Sequence, residues 1–477
     1  MSSPQGFSRR NFLKVGSVGA AGVALAGIPG TALARNGQGP PFETPPRRGN
    51  ERSMTNQPFE GFDQVRIGLT GLGNRGMGML NRWLAIDGAV VTAVHDIRED
   101  RAQQAAATVE EAGQDAPAVY TGEDDFEELS ARDDVDFVYI ATPWEYHYPQ
   151  AKAALQNGCH AGVELPIAYD LRDIWDLVRT SERTGKHCML MENVCYFQHE
   201  LRLLNMAKAG LFGELLNGSG GYVHDLRDLN MLGHYYPEEW RRLHYTRRNE
   251  AHYPMHGFAP IAACMDINRG DRLDTIVSMA SPALSMAEYR EENLAPDHDS
   301  WDEEYISGDR NTALVSTVKG RIIRSEYSVM GPTPYSRENY LQGTRGAYTD
   351  DPHRVYFEPD HTNHQWRDMD DYTEYEHWLW EDIGHSAEEH GGHGGGDYIM
   401  QWRTIQLMRL GLVPDIDVYD SAAWCSVIPL SGESIKRGNQ PVKVPDFTRG
   451  NWEEPREGLE RGRPEGYEAR LGARAAV

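Results

Sequence analysis

The feature that most constrains the fold is an apolar run, Val65-Arg66-Ile67-Gly68-Leu69, leading directly into Gly71-Leu72-Gly73-Asn74-Arg75-Gly76. A short apolar run of this kind suits a buried parallel strand. In the turn that follows, the first glycine allows the sharp bend and the second lets the backbone approach a pyrophosphate. The third lets the next helix pack on the strand. A helix opening here offers free N–H groups and the positive end of its dipole to phosphates. Glycines at this spacing alone describe only a glycine-rich turn, so the setting decides. A second run, Ala89–Val94, ends at His95-Asp96, and Asp96 lies 20 positions after Gly76, where an acidic residue binds the adenosine ribose hydroxyls. A carboxylate there disfavours a 2′-phosphate and so selects NAD over NADP. The other reading of Asp96 is a helix N-cap ahead of Arg98.

Strand and helix then alternate. Val135–Ile140 runs into Ala141-Thr142-Pro143-Trp144-Glu145-Tyr146-His147, and a helix is expected over Tyr148–Gln156. Strand Cys159–Val163 ends at Glu164-Leu165-Pro166, a helix spans Leu171–Arg183, and strand Lys186–Met191 ends at Glu192-Asn193. Strand C-termini in such sheets face the ligand crevice. Beyond 193 the runs Asp274–Ser281, Asn311–Val318 and Arg321–Met330 are β-rich. The fold class expected is α/β: an N-terminal Rossmann doubly wound parallel sheet, followed by an α+β domain with an open, largely antiparallel sheet. The expected boundaries are an address segment at 1–34, a linker at 35–60, a dinucleotide-binding domain at 61–193, a substrate-binding and catalytic domain at 194–450 and a charged tail at 451–477.

Composition narrows the partners. The chain has 72 acidic and 47 basic residues, a formal net charge of -25, and such a surface repels nucleic acid and anionic membranes. The five cysteines have no CxxC or framework spacing and read as small buried residues. Ser8-Arg9-Arg10-Asn11-Phe12-Leu13-Lys14, a Gly/Ala-rich stretch and Ala32-Leu33-Ala34 resemble a twin-arginine translocation signal with its cleavage site. That predicts an exported protein, periplasmic or extracellular, with no stable membrane span after cleavage. The route carries proteins that are already folded, often with their cofactor on board.

In the second half, Tyr253 and His256 flank Pro254, which is expected to interrupt regular helix and let both project from a loop into a cleft. A neutral imidazole near pH 7 is the usual general base. The bland alternative for His256 is a hydrogen-bonded residue at a helix start. His252 and His256 are four apart, a helical metal-ligand spacing, but Pro254 lies between them and no third ligand follows, so no metal is expected.

The glycine turn, Asp96, the Thr142-Pro-x-x-x-His147 segment and Glu164-x-Pro166 together resemble the Gfo/Idh/MocA oxidoreductase family. In that family the first two hold a nicotinamide dinucleotide and the latter two border the nicotinamide and the sugar. The usual lysine of the Glu-Lys-Pro segment is Leu165 here, which cannot donate, accept or carry charge. Met191-Glu192-Asn193-x-x-Tyr196, Tyr222-x-His-Asp-Leu-Arg, Tyr253-Pro-x-His256-Gly, Asn268-Arg-Gly-Asp271-Arg, Gly331-Pro-x-Pro-Tyr335 and His393-Gly-Gly-x-Asp397 follow in order. The set looks like glycoside hydrolase family 109, the α-N-acetylgalactosaminidase-like branch, over roughly residues 60–450.

That resemblance implies hydrolysis by transient C3 oxidation, elimination, water addition and re-reduction, with NAD tightly bound and recycled. It implies His256 as the base, with Tyr196 and Tyr253 as proton-transfer or hydroxyl-binding groups. Tyr222, Arg241, Tyr253, Pro254, Met255, His256 and Tyr335 match substrate contacts. Gly71, Gly73, Asn74, Arg75, Gly76, Asp96, Thr142, Trp144, Glu145, Tyr146, His147, Glu164, Leu165 and Asn193 match cofactor contacts. The expected partner is a glycoside or amino sugar, and a homo-oligomer is compatible with this reading. The alternatives are an oxidoreductase releasing a keto-sugar and a non-catalytic exported sugar-binding protein.

Overall fold

The computed structural model describes residues 43–233, 235–236, 239–358 and 364–464. The twin-arginine segment and its cleavage site lie outside the described residues.

The strand that precedes the glycine turn, β1 (Val65–Thr70), is buried almost throughout, as an unalternating apolar run predicts. With α1 (Asn74–Leu84), β2 (Ala89–His95), α2 (Glu99–Glu111), β3 (Ala118–Tyr120), α3 (Phe126–Ser130), β4 (Phe137–Ile140), α4 (Trp144–Gln156), β5 (His160–Val163), α5 (Leu171–Thr184) and β6 (Cys188–Leu190), it builds the first layer. The sheet order is β3-β2-β1-β4-β5-β6, with every pair parallel. The order reverses between β1 and β4, so the crevice at their C-terminal ends is the switch point at which such sheets hold ligands.

A 3-10 turn over Asn193–Tyr196 and α6 (Gln198–Lys208) lead into the second layer. Its first half comprises β7 (Leu215–Val223), α7 (Arg227–Met231), α8 (Trp240–Arg247), α9 (Met255–Cys264), β8 (Leu273–Ala280), α10 (Ser285–Asn293), β9 (Asn311–Thr317) and β10 (Ile322–Ser328). Its second half comprises β11 (Tyr340–Gly343), β12 (Gly346–Thr349), β13 (Arg354–Phe357), β14 (Arg367–Asp368), α11 (Trp378–His390), α12 (Gly396–Leu410), α13 (Val418–Lys436) and β15 (Val442–Lys443). The sheet runs β14-β13-β12-β11-β7-β10-β9-β8-β15. Only β7 and β10 pair in parallel; the other neighbours are antiparallel. The α/β architecture followed by an open, largely antiparallel sheet is therefore as the sequence predicts. All five cysteines are buried and free.

Three differences have physical causes. Helix α4 begins at Trp144, not Tyr148, because Pro143 at its N-cap fixes φ at −56° and launches the helix there. Residues 43–60, read as part of a linker, carry no helix or strand yet are docked. Met54 and Phe59 are buried, Phe59 N–H bonds Leu412 O at 3.0 Å, and Arg47 pairs with Glu182 at 3.0 Å. The start of the charged tail is anchored as well. Arg456 is buried and pairs with Asp417 and Asp420, and Leu459 joins the core. In both segments a few apolar or charged anchors do what periodicity does elsewhere.

Helix α9 packs on β7 at unusually close range. A Cβ added at Gly220 would lie 2.1 Å from Gly257 O, and one at Gly257 would lie 2.1 Å from Gly221 N. Asn339, buried, donates to Gly257 O at 2.8 Å and ties the same turn to the loop before β11. Only glycine on both sides allows helix and strand backbones to meet here. Replacing Gly257 by Ala should therefore cost more than ~2 kcal/mol, since the methyl displaces one backbone from the other. A thermal melt unchanged from the parent protein would refute this packing argument.

Candidate functional site

The glycine turn leaves β1 with Gly71 at φ +82°, where a Cβ would lie 2.6 Å from Thr142 N. Gly76 allows no side chain either, because its Cβ would fall 1.8 Å from Gly71 O. Gly73 differs: its nearest neighbour would be Arg101 Nη1 at 3.6 Å, and it borders open space. Gly73 is also the N-cap of α1, whose first turn carries no acidic residue and no side-chain cap. The N–H groups and the positive dipole end are thus free to meet an anion.

That space is a cavity of about 670 Å³, lined by Gly71, Gly73, Asn74, Arg75, Asp96, Thr142, Glu145 and Tyr146 from the first layer. Tyr235, Tyr236, Trp240 and Leu243 close it from the second, and Asn74 Nδ2 donates to Tyr235 O at 3.0 Å across the mouth. Asp96 accepts from Leu72 N–H at 2.7 Å and from Arg98 N–H at 2.9 Å. It therefore braces the glycine turn and folds the chain ahead of α2, while still lining the cavity. The N-cap reading is corrected, because α2 is capped by Arg98 and Asp96 stands two residues ahead of it. The sequence missed Ile97, Arg98 and Arg101 at the same end, although an Arg-rich first turn after strand two was visible.

Other predicted cofactor residues act around the cavity. His147 is buried between Pro166 O and Thr142 O, 2.7 Å from each, and locks the turns after β4 and β5 together. Leu165 is buried and brings no charge. Glu164 accepts from Arg75 Nε at 2.9 Å and from the Tyr139 hydroxyl at 2.6 Å. Arg75 Nη1 donates to Asp397 Oδ2 at 2.8 Å, and Asn193 Nδ2 donates to Asp397 Oδ1 at 2.7 Å. His393 adds a third contact to Asp397 at 2.8 Å. Burial would raise the Asp397 carboxyl, but the Arg75 guanidinium and His393 hold it well below the usual carboxylate range.

Trp144, in edge contact with Trp240 of the cavity wall at 5.4 Å, begins an aromatic cluster beside the cavity. The Trp144 ring stacks on Tyr253 at 5.6 Å and 15°, and Tyr253 meets His256 edge-on at 5.1 Å. Tyr222, near the end of β7, lies 5.3 Å from both Tyr253 and His256, with Tyr335 behind it at 6.1 Å. The Arg241 guanidinium lies 4.8 Å from the Tyr253 ring centre. Pro254 does not break a helix here; it caps α9, and His256 lies in the first turn. His256 Nδ1 is 2.8 Å from Glu192 Oε1, which also accepts from Val194 N–H at 3.1 Å. A carboxylate at that atom makes Nδ1 the donor and leaves Nε2 as the basic nitrogen. Glu192 is fully buried, and its Oε2 has no hydrogen-bond partner. The sequence put Glu192 in a motif but not in the site; its place at the end of β6, on the crevice side, was the available signal.

Two expectations are corrected. Tyr196 is buried away from the cluster, with Asp415, Arg403 and Arg461 as charged neighbours of its hydroxyl. The 3-10 turn after β6 spends Asn193 on the crevice and winds Tyr196 into the core. Met255 is fully buried in the main core, because the first turn of α9 that presents His256 to the cluster sends its neighbour inward. His252 is buried too and bonds Ser307 Oγ at 3.0 Å, so it does not converge with His256.

Comparisons with known proteins find matches for both halves of the chain. Residues 65–192 match the model of the oxidoreductase family with an NAD-binding Rossmann fold, and residues 196–454 match the C-terminal domain of glycosyl hydrolase 109. A glycosyl hydrolase family 109 protein of Streptomyces coelicolor is 51% identical over 468 residues, covering 96% of this chain and 98% of its own. One from Solibacter usitatus is 43% identical, covering 94% of this chain and 98% of its own. Among solved structures, an inositol dehydrogenase homologue from Azotobacter vinelandii complexed with NADH and myo-inositol superposes with a TM-score of 0.61. It is 16% identical and covers 82% of this chain and 100% of its own, a likeness of fold.

The contrast between glycines gives a test. Replacing Gly73 by Val should leave the melting temperature of the dinucleotide-free protein within a few degrees, because its φ of −70° suits any residue. Dinucleotide affinity, followed by NADH fluorescence, should fall by at least ~100-fold as the side chain fills the phosphate position. Unaltered affinity would remove the dinucleotide from this turn.

Proposed function

Because the chain belongs to glycosyl hydrolase family 109, we propose that it is an NAD-dependent glycosidase acting on α-N-acetylgalactosaminides or close amino-sugar relatives, with NAD retained and recycled. The observation that carries this reading is the His256–Glu192 pair joined through Tyr253 and Trp144 to the wall of the glycine-turn cavity, with the buried Leu165 bringing no charge. The residues of the crevice fit the cofactor: a side-chain-free Gly73, an uncapped α1 and Asp96 at the ribose end. Bound NAD supplies reversible hydride removal at the sugar C3, so C3 is a ketone while the C1 substituent leaves and an alcohol again afterwards.

The chain's own groups move protons and hold the ring. A C3 ketone acidifies the C2 proton, and His256 Nε2 takes it, with Glu192 stabilising the imidazolium through Nδ1–H. The C1–O bond then breaks as the C1–C2 double bond forms, and the leaving oxygen takes the proton held on His256. Water adds at C1, giving its proton to His256, which passes it to C2. Tyr253 and Tyr222 flank the imidazole and are placed to bind sugar hydroxyls. The aromatic walls from Trp144 and Tyr253 exclude water from the reacting carbons.

One assay tests the reading. Purified protein given an aryl α-N-acetylgalactosaminide and no added NAD should release the aryl group without lasting NADH absorbance. Stoichiometric NADH would instead indicate an oxidoreductase that yields a keto-sugar, and neither signal would indicate a sugar-binding protein or another sugar. His256→Ala should retain its NAD yet lose exchange of the C2 proton with solvent by about 10²–10⁴-fold. Normal exchange in that variant would assign the base elsewhere.

A cycle with no net redox change needs no outside NAD pool, which is compatible with export of a folded, cofactor-loaded protein by the twin-arginine route. Changing Arg9 and Arg10 together to Lys should keep the protein in the cytoplasm, as read by fractionation of the producing cells. Undiminished export would discard the twin-arginine assignment.

A further inference from the structure

One cation of the glycine-turn cavity is uncommitted. Arg75 is held by Glu164 and Asp397, and Arg98 pairs with the exposed Asp100 at 2.8 Å. Arg101, in the first turn of α2, lines the same cavity, and among the described residues its side chain enters no ion pair or hydrogen bond. Its Nη1 stands 3.6 Å from the point where a Cβ on Gly73 would lie. The free guanidinium is therefore set over the one glycine of the turn that borders open space, at the uncapped N-terminus of α1.

A second donor lines the cavity from the sheet side. Gln150 is 3% exposed, and its Oε1 accepts from the Thr70 hydroxyl at 2.8 Å and from the Thr142 hydroxyl at 3.1 Å. Thr70 ends β1 and Thr142 follows β4, the two strands that flank the switch point. These contacts fix the amide, and its NH2 group bonds nothing among the described residues. A buried donor without an acceptor costs free energy unless a ligand supplies one. Guanidinium and amide NH2 are both donors, so the pair suits an oxyanion.

Charge balance points to the same ligand. The chain carries a formal net charge of -25, and Asp96, Glu123 and Glu145 line this cavity. Glu145 has His244 beside it at 3.3 Å, and Asp96 is met by backbone N–H groups. With Arg75 and Arg98 already paired, a pyrophosphate would find little more than the end of the α1 dipole, worth about half a charge. One free guanidinium changes that balance, since its fork of N–H groups matches phosphate oxygens.

We propose that Arg101 binds the pyrophosphate of the dinucleotide as a charge-assisted clamp and so retains the cofactor between turnovers. The inference rests on the reading of this cavity as a dinucleotide site. Arg101 meets the phosphates from α2, the free N–H groups meet them from α1, and Gln150 adds a neutral donor from the sheet. The pyrophosphate is the same in the oxidised and reduced dinucleotide, so the contact sets how long either one stays bound.

The test uses the full chain in two forms. Protein stripped of dinucleotide is titrated with NADH by fluorescence, and protein loaded with NAD is passed through a desalting column and its NAD content measured. Arg101→Gln should weaken NADH binding by about 10- to 100-fold and lose its NAD on the column. Arg101→Lys, which keeps the charge, should bind NADH within about fivefold of the parent. Unchanged affinity in Arg101→Gln overturns the proposal. Equal losses in the two variants overturn it as well, by marking the guanidinium plane as a stacking surface for adenine. Should Arg101→Gln fail to fold, Arg101→Met takes its place, with the same loss expected and unchanged affinity again decisive against the clamp. A parent protein that binds no NADH would remove the dinucleotide from this cavity and the role of Arg101 with it. That outcome is distinct from NADH held equally by parent and variant, which removes the role of Arg101 alone.

Discussion

Arg75 joins four parts of the chain that are far apart in sequence. It leaves the glycine turn, bonds Glu164 at the end of β5, and reaches Asp397 in the first turn of α12, which in turn holds Asn193 beyond β6. Each carboxylate is nearly inaccessible to water, so removing the guanidinium would strand buried charge at a cost of about 3–5 kcal/mol. The phosphate-binding turn, two strand ends of the parallel sheet and a helix of the second layer are thereby held to one another.

The second constraint is steric. His256 reaches the crevice because Gly220, Gly221 and Gly257 let α9 touch β7 backbone to backbone. Glu192 then meets the imidazole from the opposite layer at 2.8 Å. The His256–Glu192 pair therefore lies across the seam between the two halves, one partner from each, so neither half holds the pair alone.

The parallel layer was legible because its signal is periodic and local: unalternating apolar strands, glycines at fixed offsets, and an acidic residue at the expected distance from Gly76. The aromatic cluster was legible from motif order, since Tyr222, Tyr253, His256, Tyr335 and Arg241 do converge. What escaped depends on how the chain winds over two or three residues. Tyr196 and Met255 each stand next to a crevice residue, yet a 3-10 turn and the first turn of α9 send them into the core. Residues 43–60 and 451–464 escaped for the opposite reason. They have no periodicity to read, and are held by single anchors such as Phe59, Arg47 and Arg456 whose partners lie from tens to hundreds of positions away.

Charge is unevenly distributed along the crevice. Arg75 is neutralised by Glu164 and Asp397, and Leu165 brings no charge. Glu192, buried with one oxygen unbonded, stands directly behind His256, where it would stabilise a proton arriving on the imidazole. Arg75 beside the glycine turn is thus tied into the frame, whereas the carboxylate beside the aromatic cluster is held against a titratable ring.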